Sequence, residues 1–284
     1  MPAALWKISG ETIDFSRGAM LMGVLNVTPD SFSDGGEFFH SEAAVSQGLR
    51  MVDEGAGIID IGGESTRPGA EVVAESEELR RVLPVIEKLQ AAKRKARLSI
   101  DTSKAGLARR ALEAGAQIVN DITGGRGDPA MMPLVAERGA GFIIMHMQGT
   151  PRTMQSAPHY DDVVAEVRDF FRQQYARALE SGIDSMAIAF DPGIGFGKTL
   201  QHNLELLRHL SQLRTHDRPL VVGVSRKSFL GQVIDSAEVA DRGVPTVALT
   251  ALLRERGADV IRVHDVKPNF AALCTAEALL ASAL

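Results

Sequence analysis

The sequence predicts a TIM-type (β/α)8 barrel of the α/β class, formed as a single domain over residues 1–284 that begins with a short hairpin. Three observations support this fold. Eight short apolar runs alternate with amphipathic helical patterns along the chain. The length of 284 residues suits one barrel of this kind. Polar side chains follow almost every apolar run, as expected where strand ends form a site.

The strands are predicted from short apolar runs. The opening residues alternate around Ser9-Gly10-Glu11 and predict a hairpin of Leu5–Ile8 and Thr12–Phe15. Eight further runs predict the barrel strands Met20–Val27, Ile58–Ile61, Leu98–Asp101, Ile118–Asp121, Gly141–Met145, Met186–Asp191, Leu220–Val224 and Val260–Val263.

The intervals between these strands have helical periodicity. Clear examples are Ala43–Glu54, Glu77–Arg94, Gly106–Ala114, Tyr160–Ser181, Leu200–Leu213 and Thr246–Arg256. A glycine separates several helices from the following strand, which predicts C-terminal caps with positive φ at Gly55, Gly115, Gly139, Gly182 and Gly257. A doubly wound sheet is the alternative, but it would gather functional residues at one switch point, whereas here polar residues follow nearly every strand.

Composition restricts the cellular setting and the partners. The net charge of −5 argues against a nucleic-acid partner, and no apolar run has the ~20 residues that cross a membrane. Residues 1–21 lack the pattern of a secretory signal peptide. Cys274 is the single cysteine, so disulfides within the chain are excluded and a reducing cytoplasm is expected. Cys274 itself is expected to be a small buried hydrophobic residue.

The most informative segment is 26–36, where a buried strand opens directly into amide, hydroxyl, carboxylate and glycine groups. Burying such groups without partners costs on the order of 1–3 kcal/mol each, so they predict a ligand or a network. Because the carboxyl ends of barrel strands share one mouth, similar groups from other strands are expected to join them. These groups are Asn26, Asp60 with the segment Gly62–Arg67, Asp101, Asn120, Asp121, His146, Asp191, the segment Ser225–Ser228, Arg262 and His264.

Simpler interpretations exist for individual members of this set. Asp101 could merely cap the next helix, Asn120 and Asp121 could bond to a turn, and His146 could be a packing residue. Capping a helix terminus requires only one short polar residue, however. The expected mouth of the barrel contains several carboxylates, two amides and several cations, which is more than capping requires. The combination favours a binding site.

The glycine-rich segment Asp191–Thr199 could be mistaken for a nucleotide site. A phosphate-binding P-loop requires glycine where Pro192 stands, and a dinucleotide fingerprint requires glycine where Lys198 stands. Alternating glycines instead indicate a backbone that approaches a flat ligand closely, with Phe196 as an apolar wall. No histidine or cysteine cluster predicts a protein-only metal centre, but Mg²⁺ held by Asn26 and substrate phosphates is compatible with the sequence.

Taken together, these segments resemble the dihydropteroate synthases over nearly the whole chain. The matching segments are Asn26–Gly36, Asp60–Gly69, Ser99–Asp101, Asn120–Ile122, His146–Thr150, Asp191–Lys198, Ser225–Ser228 and Arg262–Asp265. The resemblance implies a transferase of folate biosynthesis that joins 4-aminobenzoate to 6-hydroxymethyl-7,8-dihydropterin diphosphate and releases pyrophosphate. It also implies a homodimer, Mg²⁺ as the cofactor with Asn26 as its ligand, and sensitivity to sulfonamides.

The resemblance also assigns roles to residues. Those expected to bind the pterin diphosphate are Asn26, Thr66, Arg67, Asp101, Asn120, Asp191, Lys227, Arg262 and His264. Those expected to bind 4-aminobenzoate are Thr66, Pro68, Phe196, Lys227 and Ser228. Asp101, Lys227 and Arg262 are the expected catalytic residues. The loops 28–36 and 65–69 are expected to close over the substrates.

The absence of an activated nucleophile favours a dissociative mechanism. The sequence has no serine in a nucleophile elbow, and an arylamine needs no base to expose its lone pair. Pyrophosphate is therefore expected to leave first, with Asp101 stabilising the pterin cation.

Three alternatives remain open at this point. A pterin-dependent methyltransferase would share the ring-binding residues but has no use for an anion pocket at Thr66, Arg67 and His264. A catalytically silent relative would bind pterin without turnover. A phosphosugar aldolase would need a Schiff-base lysine, and the neighbours of Lys227 in sequence do not obviously lower its pKa.

Overall fold

The computed structural model describes residues 4–28, 37–65, 73–150 and 152–281, with the side chains of the first helix described from residue 41 onward. Its strands are β1 (Leu5–Ile8), β2 (Glu11–Asp14), β3 (Met20–Asn26), β4 (Ala56–Gly62), β5 (Arg97–Asp101), β6 (Ile118–Asp121), β7 (Gly141–Met145), β8 (Ile188–Asp191), β9 (Val221–Gly223) and β10 (Val260–Val263). Its α-helices are α1 (Glu37–Asp53), α2 (Glu75–Ala91), α3 (Ala105–Glu113), α4 (Met131–Arg138), α5 (Val163–Glu180), α6 (Leu200–Arg208), α7 (Ser228–Val233), α8 (Gly243–Glu255) and α9 (Val266–Ala281).

Strands β3 to β10 form a parallel sheet that curls into a barrel. The order within the sheet is β8-β7-β6-β5-β4-β3-β10-β9, so neighbours in sequence are mostly neighbours in space. A parallel bridge between Phe190 and Leu220 joins the two outer strands, and the Phe190 amide donates to the Pro219 carbonyl at 2.9 Å. The predicted (β/α)8 barrel with an N-terminal hairpin is therefore confirmed.

Most element boundaries lie within a few residues of the predicted ones. β6, β7 and β10 match their predicted bounds. The strand predicted from Met186 begins later, because the Asp184 carboxylate caps a 3-10 turn over Ser185–Ala187. The helix predicted over Leu200–Leu213 ends at Arg208 and continues as a 3-10 turn from Leu210. The five predicted capping glycines all have positive φ.

The hairpin closes the amino end of the barrel. Trp6 and Ile8 are fully buried against Met22, Ile58 and other inward residues from the starts of the barrel strands. The Trp6 indole donates to the Ala187 carbonyl at 2.8 Å, which satisfies its one polar group. This end is consequently filled with apolar side chains, and the opposite end is the one available for a site.

Strand alternation determines which side chains point into the carboxyl end. Side chains two residues apart share a face, so the inward positions Ile58, Ile118 and Val260 are followed inward by Asp60, Asn120 and Arg262. The register then aligns the strand ends, with Asp101 beside Asn120, Met145 beside Asp191 and Gly223 beside Arg262. Along these strands, the inward-facing side chain changes from apolar to polar or charged between one inward position and the next.

Cys274 differs from its expectation, because its side chain is exposed. The buried residues of α9 are Val266, Asn269, Leu273 and Ala276, which form one helical face, and Cys274 lies off that face. In the described part of the chain, every helix is too short or too polar to cross a membrane.

Candidate active site

An arginine links two carboxylates across the mouth of the barrel. Arg262 on β10 donates through Nε to Asp60 Oδ2 at 2.6 Å and through Nη2 to Asp101 Oδ2 at 2.7 Å. Asn120 on β6 donates to the same Asp60 oxygen at 3.0 Å. Four strands therefore contribute to one hydrogen-bonded network, which fixes the planes of the guanidinium and of the amide.

The network leaves two buried acceptors without a donor. Asp60 Oδ1 and Asn120 Oδ1 are shielded from solvent and accept no hydrogen bond from the described residues. An unpaired buried polar atom costs about 1–3 kcal/mol, so a ligand that brings N–H groups gains more here than it would at the surface. The site is therefore prepared for a ligand with an edge of donors.

Burial and charge shift the pKa values of the site in opposite directions. Burial raises the pKa of Asp101 to about 7, against the lowering effect of Arg262 and with a further increase from Asp60. Burial lowers the pKa of Arg262, but the carboxylates of Asp60 and Asp101 outweigh this and raise it above the ordinary value. Arg262 is thus a permanent cation, whereas Asp101 changes its charge near neutrality.

Lys227 lies at the other side of the mouth. Its Nζ donates to the Ile194 carbonyl and lies 4.7 Å from the centroid of the Phe196 ring. Burial lowers the pKa of Lys227 to about 8, and Asp191 opposes the shift. The pKa of Lys227 is thus lowered by burial in the fold and not by its neighbours in sequence, and one contact that buries the ammonium is with a loop more than thirty residues away.

Asp191 ends β8 and anchors the start of the glycine-rich loop. Its Oδ1 accepts the Gly193 amide at 2.7 Å, and the side chain is 5% exposed. Burial raises the pKa of Asp191, while Lys227 and the Gly193 hydrogen bond lower it. Its carboxylate faces the ammonium of Lys227 and the guanidinium of Arg262 across the same space.

The rim of the mouth carries the remaining predicted side chains that the structure describes. Asn26 ends β3 and lies close to Gly62 and Asp101. A Cβ placed on Gly62 would lie 3.9 Å from Asn26 Oδ1 and 3.6 Å from Asp101 Cβ. The His264 ring pairs through Nδ1 with Ser225 Oγ at 3.0 Å, which orients the imidazole. Ser228 is exposed at the first turn of α7, next to Lys227. Residues 29–36 and the site residues Thr66, Arg67 and Pro68 lie outside the described residues.

The comparisons with known proteins agree with this geometry. Residues 22–264 match the family model described as "Pterin binding enzyme". The chain is 46% identical to the dihydropteroate synthase of Synechocystis over 91% of this chain and 89% of that protein. It is 45% identical to that of Escherichia coli over 96% of this chain and 95% of that one. The chain belongs to the dihydropteroate synthase family.

Solved structures of the family show the same fold. A dihydropteroate synthase from Xanthomonas albilineans with 4-aminobenzoic acid superposes with a TM-score of 0.91 at 43% identity, covering 98% of this chain and 99% of that one. Another from the same organism, in complex with 7,8-dihydropteroate, gives 0.87 at 40% identity over 98% and 99% of the chains. The expectation of a transferase that forms a carbon–nitrogen bond is thereby confirmed.

Against this family background, the structure assigns Asp60 a larger role than the sequence did. Asp60 was grouped with the strand ends but given no contact of its own, whereas its Oδ2 joins Arg262 to Asn120. Met145 and Met147 form an apolar wall with Phe196 that the sequence did not indicate. The alternation of Ile58, Asp60 and Gly62 along β4 was the available signal for Asp60. His146, by contrast, packs edge-on against Phe170 at 4.9 Å.

We predict that Asp60→Asn weakens pterin binding about tenfold or more, because the hydrogen bond to Arg262 loses its negative partner and the unpaired acceptor Oδ1 is replaced by an NH2 group that cannot accept from the ligand. Isothermal titration with 6-hydroxymethyl-7,8-dihydropterin measures the effect. Ser99→Ala is the matched control, since Ser99 pairs in register with Asp60, is equally buried, and its hydroxyl has no hydrogen-bond partner among the described residues. Equal affinities for wild type and Asp60→Asn would contradict this assignment.

Proposed function

We propose that this chain condenses 6-hydroxymethyl-7,8-dihydropterin diphosphate with 4-aminobenzoate to give 7,8-dihydropteroate and pyrophosphate. The observation that carries the proposal is the buried row of acceptors from Asp60, Asn120 and Asp191 beside the guanidinium of Arg262. Family membership and structural relatives solved with 4-aminobenzoic acid and with 7,8-dihydropteroate support it.

The acceptors match one edge of a pterin. That edge carries an amine and ring N–H groups, which can donate to Asn120 Oδ1 and to the Asp191 carboxylate. The adjoining carbonyl oxygen of the pterin is an acceptor, for which Lys227 is the available ammonium donor. A ligand without these groups would leave buried partners unpaired, and this is the source of specificity. The planar guanidinium of Arg262 can lie against the ring face.

The second substrate is assigned to the outer side of the same mouth. Phe196 offers an aromatic wall, and Lys227 and Ser228 lie at the start of α7, where they can meet the carboxylate of 4-aminobenzoate. Thr66 and Pro68 complete this proposed subsite by family resemblance. A sulfonamide that imitates 4-aminobenzoate would occupy the same place, as the Yersinia pestis relative solved with a sulfonamide drug complex suggests.

The reaction is proposed to be dissociative. The carbon–oxygen bond to the diphosphate breaks first, and its electron pair leaves with pyrophosphate. The methylene carbon becomes a cation that the pterin ring nitrogens delocalise, and the carboxylate of Asp101 stabilises that positive charge. The amine nitrogen of 4-aminobenzoate then donates its lone pair to this carbon and releases a proton to water. Arg67, Arg262 and His264 are proposed to bind the leaving group.

Mg²⁺ is the proposed cofactor, with Asn26 as its protein ligand. The amide oxygen of Asn26 is the hard donor that Mg²⁺ prefers, and it lies at the rim beside Asp101. Among the described residues, no group of three or more His, Cys, Asp or Glu side chains could hold a metal. The residues therefore fit an ion bound by one protein oxygen and by substrate phosphates. When bound, Mg²⁺ would neutralise the departing pyrophosphate.

We predict that pyrophosphate appears before 7,8-dihydropteroate in a single turnover, because bond cleavage precedes amine attack. Rapid quench with labelled pterin diphosphate and excess enzyme measures both products. Simultaneous appearance, together with isotope effects for concerted bond making, would contradict the dissociative order.

In steady state, pyrophosphate release should require 4-aminobenzoate. Pterin binding without such release would instead indicate a silent relative, and methyl transfer to an acceptor would indicate a pterin-dependent methyltransferase.

We predict a bell-shaped pH dependence of kcat/KM for the pterin diphosphate. Asp101, with a pKa of about 7, acts as a carboxylate and is lost to protonation below that pH. Lys227, with a pKa of about 8, donates as an ammonium and loses this ability above that pH. The maximum should therefore lie between pH 7 and 8. A flat profile from pH 6 to 9 would contradict these roles.

We also propose that the chain forms a homodimer in the cytoplasm. Large apolar side chains are exposed on α8 and α9, where Val244 is 81% and Leu279 is 68% exposed. Leu252 on α8 and Phe270 on α9 are exposed as well, and exposed apolar surface is typical of interfaces.

Sedimentation equilibrium should give twice the 30.5 kDa mass of the chain. Leu252→Asp should shift the equilibrium to the monomer, because it places a charge on the exposed apolar surface of α8. Leu5→Asp on the hairpin, at similar exposure, should leave the mass unchanged. A monomeric wild type at micromolar concentration would contradict the proposal.

A further inference from the structure

The carbonyl groups of the loop after β8 are all anchored by side chains. All five carbonyl oxygens from Gly193 to Gly197 accept a hydrogen bond from a side chain. The donors are Lys198 for Gly193 and Phe196, Lys227 for Ile194, Gln155 for Gly195 and Tyr160 for Gly197. The path of this loop is therefore set by a few side chains that surround it.

Two glycines let this loop pack directly against the chain after β7. Gly193 and Gly197 both have φ of +63°, and a Cβ on Gly193 would lie 1.9 Å from the His146 carbonyl oxygen. A Cβ on Gly197 would lie 2.5 Å from the Gln148 carbonyl oxygen. Side chains at these positions are thus excluded, and the loop follows the backbone of residues 146–148 closely.

Lys198 is the centre of this arrangement. Its Nζ is 3.0 Å from each of three atoms: the Gly193 oxygen, the Phe196 oxygen and His146 Nδ1. The side chain is 3% exposed. Burial, with Lys198 and Arg126, lowers the pKa of His146 to about 2, so the imidazole is neutral and its Nδ1 can accept. Nζ therefore contacts one atom near each end of the loop and one on the chain after β7.

Space filling alone does not account for a lysine at this position. Burial lowers the pKa of Lys198 well below its usual value, because removal from water disfavours the charged form of the amine. A methionine of similar length would fill the same volume without that penalty. The hydrogen bonds to the two ends of the loop are what a methionine would lack.

We propose that Lys198 is a positioning residue for the second substrate. By fixing the Gly193 and Phe196 carbonyls, it sets the orientation of the Phe196 ring and the place of the Ile194 carbonyl, where Lys227 rests. This inference depends on the proposed function, in which Phe196 is a wall of the 4-aminobenzoate subsite. Lys198 itself is buried, and its Nζ contacts three protein atoms.

The test is Lys198→Met, examined by two independent measurements. Hydrogen–deuterium exchange of the peptide covering residues 191–199 should become faster, because two anchors of the loop are lost. The KM for 4-aminobenzoate should rise about tenfold, the scale of one or two lost hydrogen bonds, while pterin affinity changes less than about threefold. Exchange tests the positioning even if wild type proves to be inactive as a synthase.

A milder variant guards against loss of folding. Tyr160→Phe removes the hydroxyl that holds the Gly197 carbonyl at 2.8 Å and should change both measurements in the same direction to a smaller extent. Tyr175→Phe is the matched control, since the one other tyrosine of the chain stacks on His216 instead. Unchanged exchange in Lys198→Met, or equal losses for both substrates, would overturn the proposal.

Discussion

The site depends on a single cation that holds two carboxylates together inside the barrel mouth. Asp60 and Asp101 come from adjacent strands and would repel each other in a poorly solvated space. Arg262 reaches both of them, at 2.6 and 2.7 Å, from the neighbouring side of the barrel. Without this guanidinium, the two carboxylates would face each other with no cation between them, and the Asp60 oxygen that accepts from Asn120 would lose its other donor.

This arrangement explains how one barrel end can be both charged and ordered. The amino end is closed by Trp6 and Ile8 over an apolar layer, so the strands are fixed by ordinary packing. The next inward layer carries charge, and hydrogen bonds between strands join Asp60, Asp101, Asn120 and Arg262. Two acceptors of this network, Asp60 Oδ1 and Asn120 Oδ1, have no donor among the described residues, and they define what a ligand must supply. Apolar packing at the amino end of the barrel thus holds the strands in place for ligand binding at the carboxyl end.

Much of this could be predicted from the sequence, because strand alternation and strand ends are local signals. The pattern after each apolar run placed Asp101, Asn120, Asp191 and Arg262 at one mouth, and the structure brings them there. The capping glycines were equally local. The predicted boundary was wrong where a local hydrogen bond stabilises another structure. The Asp184 carboxylate caps a 3-10 turn, so the strand begins later than predicted.

What the sequence did not indicate depends on contacts between distant segments. The lowered pKa of Lys227 arises from burial under the loop after β8, and the pairing of Asp60 with Arg262 depends on barrel closure. Cys274 was expected to be buried because cysteines usually are. Its exposure instead depends on which face of α9 packs against the barrel, and Cys274 lies off that face. Such features require the register of the whole barrel.

The most direct test is a crystal structure of the chain with 6-hydroxymethyl-7,8-dihydropterin bound. The account predicts one flat ring in the mouth, with Asn120 Oδ1 and the Asp191 carboxylate accepting from it at about 2.7–3.2 Å. It also predicts that Lys227 Nζ leaves the Ile194 carbonyl and donates to the ring oxygen. A pterin bound elsewhere, or one that leaves Lys227 on Ile194 and both acceptors unpaired, would contradict it.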